Sequence, residues 1–270
     1  MEQSILTPFL LTLFAGLATG IGSLAALFAR RTNRKFLSFS LGLSAGMMIY
    51  VSFVELFGEA RISLTNELGG TAGMLLTVLC FFGGMLLIGI IDRLIPSFEN
   101  PHEARSVESM DAPPPHQDKL MKMGVVTALA IAVHNFPEGI ATFAVAVENP
   151  ALGVAVTAAI AIHNIPEGIA VAVPVYYATG SRKKAFRFSL LSGLAEPVGA
   201  VLAYLILMPF MSPVVLGCLF AAVAGIMVFI SMDELLPAAR EYGEHHTSIY
   251  GLIAGMAIMA MSLILLSPKA

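Results

Sequence analysis

The sequence has little charge, few cysteines and no basic stripe beyond short loops, and each scarcity excludes a class of protein. Only 12% of the 270 residues are charged, whereas about a quarter are charged in an average soluble domain. Without a basic arm or stripe, the chain has no signature of a nucleic-acid partner. Its two cysteines, Cys80 and Cys218, both lie within apolar runs. We interpret them as buried thiols rather than as a disulfide or as metal ligands.

Apolar residues are abundant instead, and they occur in long runs. Hydrophobic residues make up 57% of the chain, and runs of about 20 such residues suffice for an α-helix to cross a bilayer. The alternating ten-residue pattern of a transmembrane β-barrel is absent. We therefore predict an all-α membrane protein with eight transmembrane helices, at residues 6–29, 36–57, 72–92, 123–147, 151–177, 184–208, 213–236 and 249–267. The first run lacks a basic start and a cleavage site, so we expect it to be retained.

Basic residues mark alternate loops of this prediction. The loops after helices 1, 3 and 5 contain Arg30, Arg31, Arg34, Lys35, Arg93, Arg105, Lys119, Lys122, Arg182, Lys183, Lys184 and Arg187, and the opposite loops contain only Arg61. By the positive-inside rule, the basic loops are cytoplasmic. We thus expect a multi-pass protein of the cell membrane with both termini outside, which means the periplasm in a Gram-negative organism. Residues 1–270 form a single transmembrane domain, in which the proline-rich and charged segment 93–120 is a flexible cytoplasmic loop.

An internal repeat relates helix 2 to helix 7. The segment GMMIYVSFVELFGEAR at residues 46–61 aligns without a gap with GIMVFISMDELLPAAR at residues 225–240. Because the first copy runs outward and the second inward, the repeats have opposite topology, as in many secondary transporters. The matched carboxylates Glu55 and Glu234, with Asp233 beside the latter, are expected near the outer and the inner face. The alternative is that these carboxylates only reach toward the membrane interface.

One polar motif occurs twice, in helices 4 and 5, as HNFPEG at residues 134–139 and HNIPEG at residues 163–168. Side chains four residues apart share one face of a helix. In each copy this places a histidine and a glutamate together, with an asparagine on the adjoining face: His134, Glu138 and Asn135, then His163, Glu167 and Asn164. A proline in each copy frees a backbone carbonyl one turn back.

The predicted depth of the two motifs gives the strongest functional argument. Helices 4 and 5 form a hairpin that turns near Asn149, so the motifs meet close to the membrane midplane, level with Glu196 of helix 6. A charge there costs at least about 2.5–3.5 kcal/mol, and no lysine or arginine is available at that level. A divalent cation would balance these carboxylates, and imidazole with carboxylate suits zinc, iron or manganese. The alternative is a pair of kinked helices joined by His–Glu hydrogen bonds.

The doubled HNxPEG motif, the eight spans and the loop between helices 3 and 4 resemble the ZIP (Zrt/Irt-like) metal transporters, and the wording of the motifs resembles the bacterial ZupT-like branch. The resemblance implies a helix arrangement of 3+2+3, with helices 1–3 and 6–8 as an inverted repeat. It also implies a two-metal centre whose first site is His134, Glu138, His163 and Glu167, and whose second is Asn135, Asn164 and Glu196, with Glu138 and Glu167 bridging. Some members have an aspartate in place of Asn164, and a neutral residue there weakens or retunes the second site. The resemblance further implies import of divalent transition metals, zinc first and also iron, manganese and cobalt, and it allows a homodimer.

The runner-up to a transporter is an intramembrane metal-dependent hydrolase. Zinc hydrolysis needs an open coordination position and a general base, which His and two Glu could supply. However, the sequence lacks an HExxH motif. Its candidate metal ligands are spread over helices 4 to 6, as expected for residues that line the path of a transported ion. We therefore expect a transporter and not an enzyme, with the metal ion as its substrate and the lipid bilayer as its surroundings.

Overall fold

The computed structural model describes residues 5–28, 34–94, 117–207, 210, 212–242 and 245–266, and helices account for almost all of them. No strand occurs within these ranges. The helices are α1 (Leu6–Phe28), α2 (Arg34–Val51), α3 (Phe57–Leu68), α4 (Gly70–Leu94), α5 (Gln117–Glu148), α6 (Pro150–Thr179), α7 (Arg182–Gly193), α8 (Ala195–Leu202), α9 (Pro213–Ile230), α10 (Leu236–Tyr242) and α11 (His245–Leu266). There are also three π-helical turns. Ser52–Leu56 joins α2 to α3, Ala203–Leu207 extends α8, and Ser231–Leu235 joins α9 to α10.

Seven helical stretches of the described chain are long and apolar enough to cross a membrane, and they make this an all-α, multi-pass membrane protein. They are Leu6–Phe28, Ser38–Leu68, Gly70–Arg93, Pro150–Val173, Arg182–Ile206, Pro213–Arg240 and His246–Leu265. The predicted helix at 123–147 lies inside α5, which is not one of these seven. Because α5 begins at Gln117, the last four residues of the predicted loop 93–120 are helical, and residues 95–116 lie outside the described ranges.

Local capping places the hairpin that carries both motifs. Asn149 is the only residue between α5 and α6, and its side chain accepts a hydrogen bond of 3.1 Å from the backbone N–H of Leu152. Pro150 follows at the first position of α6, where a missing N–H costs nothing. The α5–α6 connection is therefore tight, and it sets the two motif helices side by side.

A first group of helices (α1, α5, α6, α7 and α8) packs through glycines. A Cβ on Gly168 of α6 would overlap the backbone carbonyl of Thr19 in α1, and one on Gly139 of α5 would overlap the carbonyl of Glu196 in α8. The reciprocal contacts are those of Gly22 with Ile165 and of Gly199 with Phe136. Such small-residue contacts let helix backbones approach closely in a membrane. They bring α8 directly against the motif in α5.

A second group (α2, α3, α4, α9, α10 and α11) packs in the same way. Gly46 of α2 meets Leu252 of α11, and Gly84 of α4 meets Ala222 of α9. The reciprocal contacts are those of Gly255 with Leu43 and of Gly225 with Phe81. Along α2 and α11, the contact of Gly42 with Ser248 is followed by that of Gly46 with Leu252; along α4 and α9, the contact of Gly84 with Ala222 is followed by that of Gly89 with Phe229. These residue numbers rise together, so α2 is parallel to α11 and α4 is parallel to α9.

The two π-helical turns of the second group occur at the same place in the sequence repeat. Ser52–Leu56 and Ser231–Leu235 occupy matching positions when residues 46–61 are aligned with residues 225–240. Isolated π-helical turns within helices are rare and often occur at functional sites. Each turn contains one carboxylate of the matched pair, Glu55 or Glu234.

Candidate metal centre

Both polar motifs lie within unbroken helices, so their prolines do not end the elements that contain them. Pro137 lies inside α5 and Pro166 inside α6. The side chains of Asn135, Glu138, His163, Asn164 and Glu196 are all fully buried in the protein, and Glu167 is 7% exposed. The structure thus encloses a histidine, two asparagines and three carboxylates among packed helices.

Glu138, His163 and Glu167 form the core of this centre. The Nε2 atom of His163 lies 2.8 Å from Oε1 of Glu167, one turn along the same helix. The same nitrogen lies 3.7 Å from Oε1 of Glu138 on the neighbouring helix α5. The structure therefore brings the two motifs together through one imidazole nitrogen that faces a carboxylate of each.

Asn164 and Glu196 form a second pair beside this core. The side-chain amide of Asn164 donates a hydrogen bond to Oε1 of Glu196 and another, of 2.8 Å, to the backbone carbonyl of Ala15. Glu196 also interacts electrostatically with Glu138 and Glu167. The α8 carboxylate is thus near both carboxylates of the core.

Several buried oxygen atoms of the centre accept no hydrogen bond from any residue that the structure describes. They are both carboxylate oxygens of Glu138, Oε2 of Glu196 and Oδ1 of Asn164. A buried polar atom left in this way is costly. Among the described side chains, no three His, Cys, Asp or Glu residues form a ready-made metal cluster. The arrangement is instead one of pairs, His163 with Glu167 and Asn164 with Glu196.

Two predicted ligands, His134 and Asn135, are still to be considered. The side chain of His134 lies outside the described part of the structure. The amide of Asn135 makes a long contact of 3.5 Å with the backbone carbonyl of Ser192, near the end of α7. Asn135 therefore lies on the side of α5 that faces α7 and α8.

A residue of α2 completes the surroundings of His163. The hydroxyl of Ser44 lies 2.6 Å from Nδ1 of His163, and both side chains are fully buried. The two imidazole nitrogens thus have different partners, the serine on one side and the carboxylates on the other.

One predicted pathway carboxylate, Glu234, lies close to the core. It is 6% exposed, and the carboxylates of Glu167, Asp92, Asp233 and Glu138 all act on it electrostatically. Asp233 is exposed and Asp92 is half-buried. Glu234 therefore lies within electrostatic range both of the centre and of acidic residues in α4 and in its own π-helical turn.

The other predicted pathway carboxylate, Glu55, lies elsewhere. It lines a cavity of ≈ 460 Å³ beside the α5–α6 turn, and the cavity walls are Glu55, Glu59, Val145, Glu148, Asn149, Leu152, Phe220 and Leu263. Three glutamates at one opening give the cavity a negative character. The structure therefore separates the carboxylates of the repeat, with Glu234 near the centre and Glu55 at this cavity.

Sequence reasoning did not single out Ser44, Glu59, Asp92 or Glu148. Serine is common in membrane helices, so its spacing alone gave no signal for Ser44. The position of Glu148 next to the α5–α6 turn was a usable signal, because the turn itself was predicted.

Comparison with known proteins identifies the class. Residues 93–263 match the family model described as ZIP Zinc transporter. The chain is 66% identical over 267 residues to a protein of Oceanobacillus iheyensis named Zinc transporter ZupT, covering 98% of this chain and 100% of that protein. It is 63% identical to the Zinc transporter ZupT of Lysinibacillus sphaericus, over 98% of this chain and 100% of the relative. The protein of the same name from Streptococcus mutans is 60% identical, over 98% and 99%.

The fold, the buried centre and these similarities define a transport protein, and the chain belongs to the ZIP zinc transporter family. It is a membrane transporter of divalent metal ions and not an enzyme, which sets aside the hydrolase. The prediction of a ZIP transporter of the ZupT-like branch is confirmed.

Proposed function

We propose that the chain imports divalent transition metal ions into the cytoplasm through a buried two-metal site on α5, α6 and α8. Zinc is the first substrate, as the names of the relatives suggest, and iron, manganese and cobalt are further ones. One ion would bind to His134, Glu138, His163 and Glu167. A second would bind to Asn135, Asn164 and Glu196, with Glu138 and Glu167 bridging the two.

The observation that carries this proposal is that no lysine or arginine among the described residues balances the buried carboxylates of Glu138 and Glu196. Only His163 and other carboxylates act electrostatically on Glu138 and Glu196 among the described residues. The sequence contains no lysine or arginine between residues 123 and 181. A divalent ion would supply the missing positive charge and give the unbonded oxygens of Glu138 and Glu196 a partner.

The donor set suits a first-row transition metal. Imidazole with carboxylate binds zinc, iron and manganese, whereas calcium and magnesium prefer oxygen alone. The second site contains two neutral amides, so it would hold its ion more weakly than the first. A site of this kind can strip the ion of water and still release it.

We further propose the finer architecture of eight transmembrane helices in a 3+2+3 arrangement. The whole chain, 1–270, would then be one transport domain. An inverted repeat of helices 1–3 and 6–8 is supported by glycine contacts that occur in both halves. The contact made by Gly22 matches that made by Gly199, and in the same way Gly168 matches Gly139, Gly46 matches Gly225, and Gly255 matches Gly84. The matching π-helical turns support the same symmetry. On this arrangement α5 is the fourth spanning helix, and both termini lie outside.

The ion path would run from the cavity at Glu55 to the centre and then past Glu234 and Asp233. The direction follows from the positive-inside rule, which places the α5–α6 turn outside. The first and second helical groups would move against each other to expose the centre to each side in turn. The main contacts between the two groups are those of α2 and α11 with α6 and those of α9 with α5.

Around this transport domain, apolar side chains would face lipid. Leu75, Leu79, Phe82 and Leu86 of α4 are all more than half exposed, as expected for a helix in a bilayer. A homodimer is a further expectation from the family, and the proposed centre needs no residue from a second copy.

Zinc uptake into sealed proteoliposomes tests the proposal. Wild-type protein should give saturable uptake that is lost in His134→Ala and in Glu138→Ala. Protein-free liposomes control for leakage, and circular dichroism shows whether each variant is folded. Zinc binding without flux in either direction would overturn the proposal.

A further inference from the structure

We propose that Ser44 is a positioning residue for the metal centre: its hydroxyl accepts the Nδ1–H of His163 and thereby presents the Nε2 lone pair to the ion. This inference rests on the proposed function, since it concerns how one proposed ligand is held. Ser44 lies on α2, away from both HNxPEG motifs, and neither the family resemblance nor the repeat assigns it a role.

The geometry of His163 leaves little freedom for another arrangement. Its Nδ1 lies 2.6 Å from the Ser44 hydroxyl, and its Nε2 lies 2.8 Å from Glu167 and 3.7 Å from Glu138. A ring rotated by half a turn would move Nε2 away from both carboxylates. The serine therefore fixes which edge of the ring faces the centre.

The chemistry of ligation then fixes the tautomer. A neutral imidazole has one N–H and one lone pair, and the nitrogen that binds a metal must supply the lone pair. If Nε2 is the ligand, Nδ1 bears the hydrogen and needs an acceptor. Ligating histidines commonly donate this second N–H to a carboxylate, a carbonyl or water. In this chain a serine hydroxyl is in place to accept it.

Burial gives the contact its importance. Ser44 and His163 are both fully buried, so water is not at hand to replace the hydroxyl. Loss of the acceptor would leave a buried N–H unpaired, which favours the other tautomer and other ring orientations. Loss of a partner of this kind typically weakens metal affinity or activity by about 10–100-fold.

A matched serine on the same helix provides the control. Ser38 is also fully buried on α2, and its hydroxyl donates a hydrogen bond of 2.6 Å to the backbone carbonyl of Ala239 in α10. Ser38→Ala therefore removes a buried serine hydrogen bond without touching the centre. Ser44→Thr keeps the hydroxyl in place and serves as the conservative variant.

The test is zinc uptake into proteoliposomes over a range of zinc concentrations. Ser44→Ala should raise KM by about 10-fold or more, with a smaller change in maximal rate, while Ser44→Thr and Ser38→Ala stay close to wild type. In a His163→Gln background, adding Ser44→Ala should raise KM no further, because the serine acts through the histidine.

An unchanged KM in Ser44→Ala, an equal rise in Ser38→Ala, or an additive effect with His163→Gln would overturn the inference. Absence of flux in the wild-type protein would instead refute the proposed function.

If Ser44→Ala does not fold, Ser44→Cys replaces it. A thiol is a weaker acceptor of similar size, so KM should rise above that of Ser44→Thr. Equal KM values for the cysteine and threonine variants would count against the inference.

Discussion

Nε2 of His163 lies 2.8 Å from Oε1 of Glu167, which is one helical turn further along α6. The same nitrogen faces Glu138 of α5, so one imidazole joins the carboxylates of both motifs. An ion placed between these groups would have nitrogen and oxygen ligands from two helices. The choice of imidazole rather than a harder oxygen ligand should then set the preference among metals.

Replacing His163 by glutamine tests that preference. Imidazole suits zinc, whereas oxygen ligands suit manganese better. We expect His163→Gln to raise the KM for zinc more than the KM for manganese, measured by uptake of each ion separately. An equal change for the two ions would show that the imidazole does not determine selectivity.

Asn164→Asp should make folded-state stability depend more strongly on metal. The substitution removes the donor to Ala15 and adds a carboxylate beside Glu196, which should destabilise the metal-free protein by about 1–3 kcal/mol. Zinc would offset the added charge and stabilise the variant through binding. Thermal unfolding in detergent, with chelator and with zinc, measures the difference. The exposed Asn66→Asp is the control, and an equal zinc effect in both variants would contradict the expectation.

Adjacent glycines of α4 allow a test of helix packing. A Cβ on Gly84 would overlap the backbone of Ala222 in α9, whereas one on Gly83 meets nothing within 4 Å. Gly84→Ala should therefore destabilise the protein by about 1–3 kcal/mol. Gly83→Ala should leave stability unchanged or raise it slightly. Unfolding measured in detergent compares the two, and equal stabilities would refute the close α4–α9 contact.

The acidic cavity should affect how fast ions reach the centre. Glu55, Glu59 and Glu148 line it, and a concentration of one charge sign attracts the opposite ion. We expect Glu55→Gln to raise the KM for zinc at low ionic strength without lowering the maximal rate. Added salt should reduce the difference from wild type through screening. The control is Glu67→Gln, which removes an exposed carboxylate. If the KM of Glu55→Gln for zinc depends on salt in the same way as that of Glu67→Gln, this role is ruled out.

Much of this fold could be predicted because the bilayer restricts what a chain can do. Long apolar runs, a turn near Asn149 and the doubled motif were all visible in the sequence, and they led to the helices and to the prediction that the two motifs meet. The family was likewise recognisable from the doubled motif together with the predicted spans and the loop between helices 3 and 4. The π-helical turn at Ser52–Leu56 was not foreseen, because no residue type signals it.

Contacts between distant helices could not be predicted from periodicity. Ser44 meets His163 across 119 positions of sequence, and nothing in the spacing of α2 indicates that partner. Likewise, the spacing of α4 does not indicate that Asp92 lies within electrostatic range of Glu234. Both depend on how parallel and antiparallel helices pack, which glycines such as Gly84 and Gly225 determine.

The most direct test of the account is zinc uptake by Glu138→Gln beside its matched control, Glu67→Gln. Both substitutions remove one carboxylate charge and nearly preserve shape, but Glu138 is fully buried at the centre and Glu67 is exposed on α3. Zinc flux into proteoliposomes should be lost in the first variant and retained in the second, with both proteins folded. Undiminished flux through folded Glu138→Gln would contradict the claim that zinc crosses the membrane at this centre.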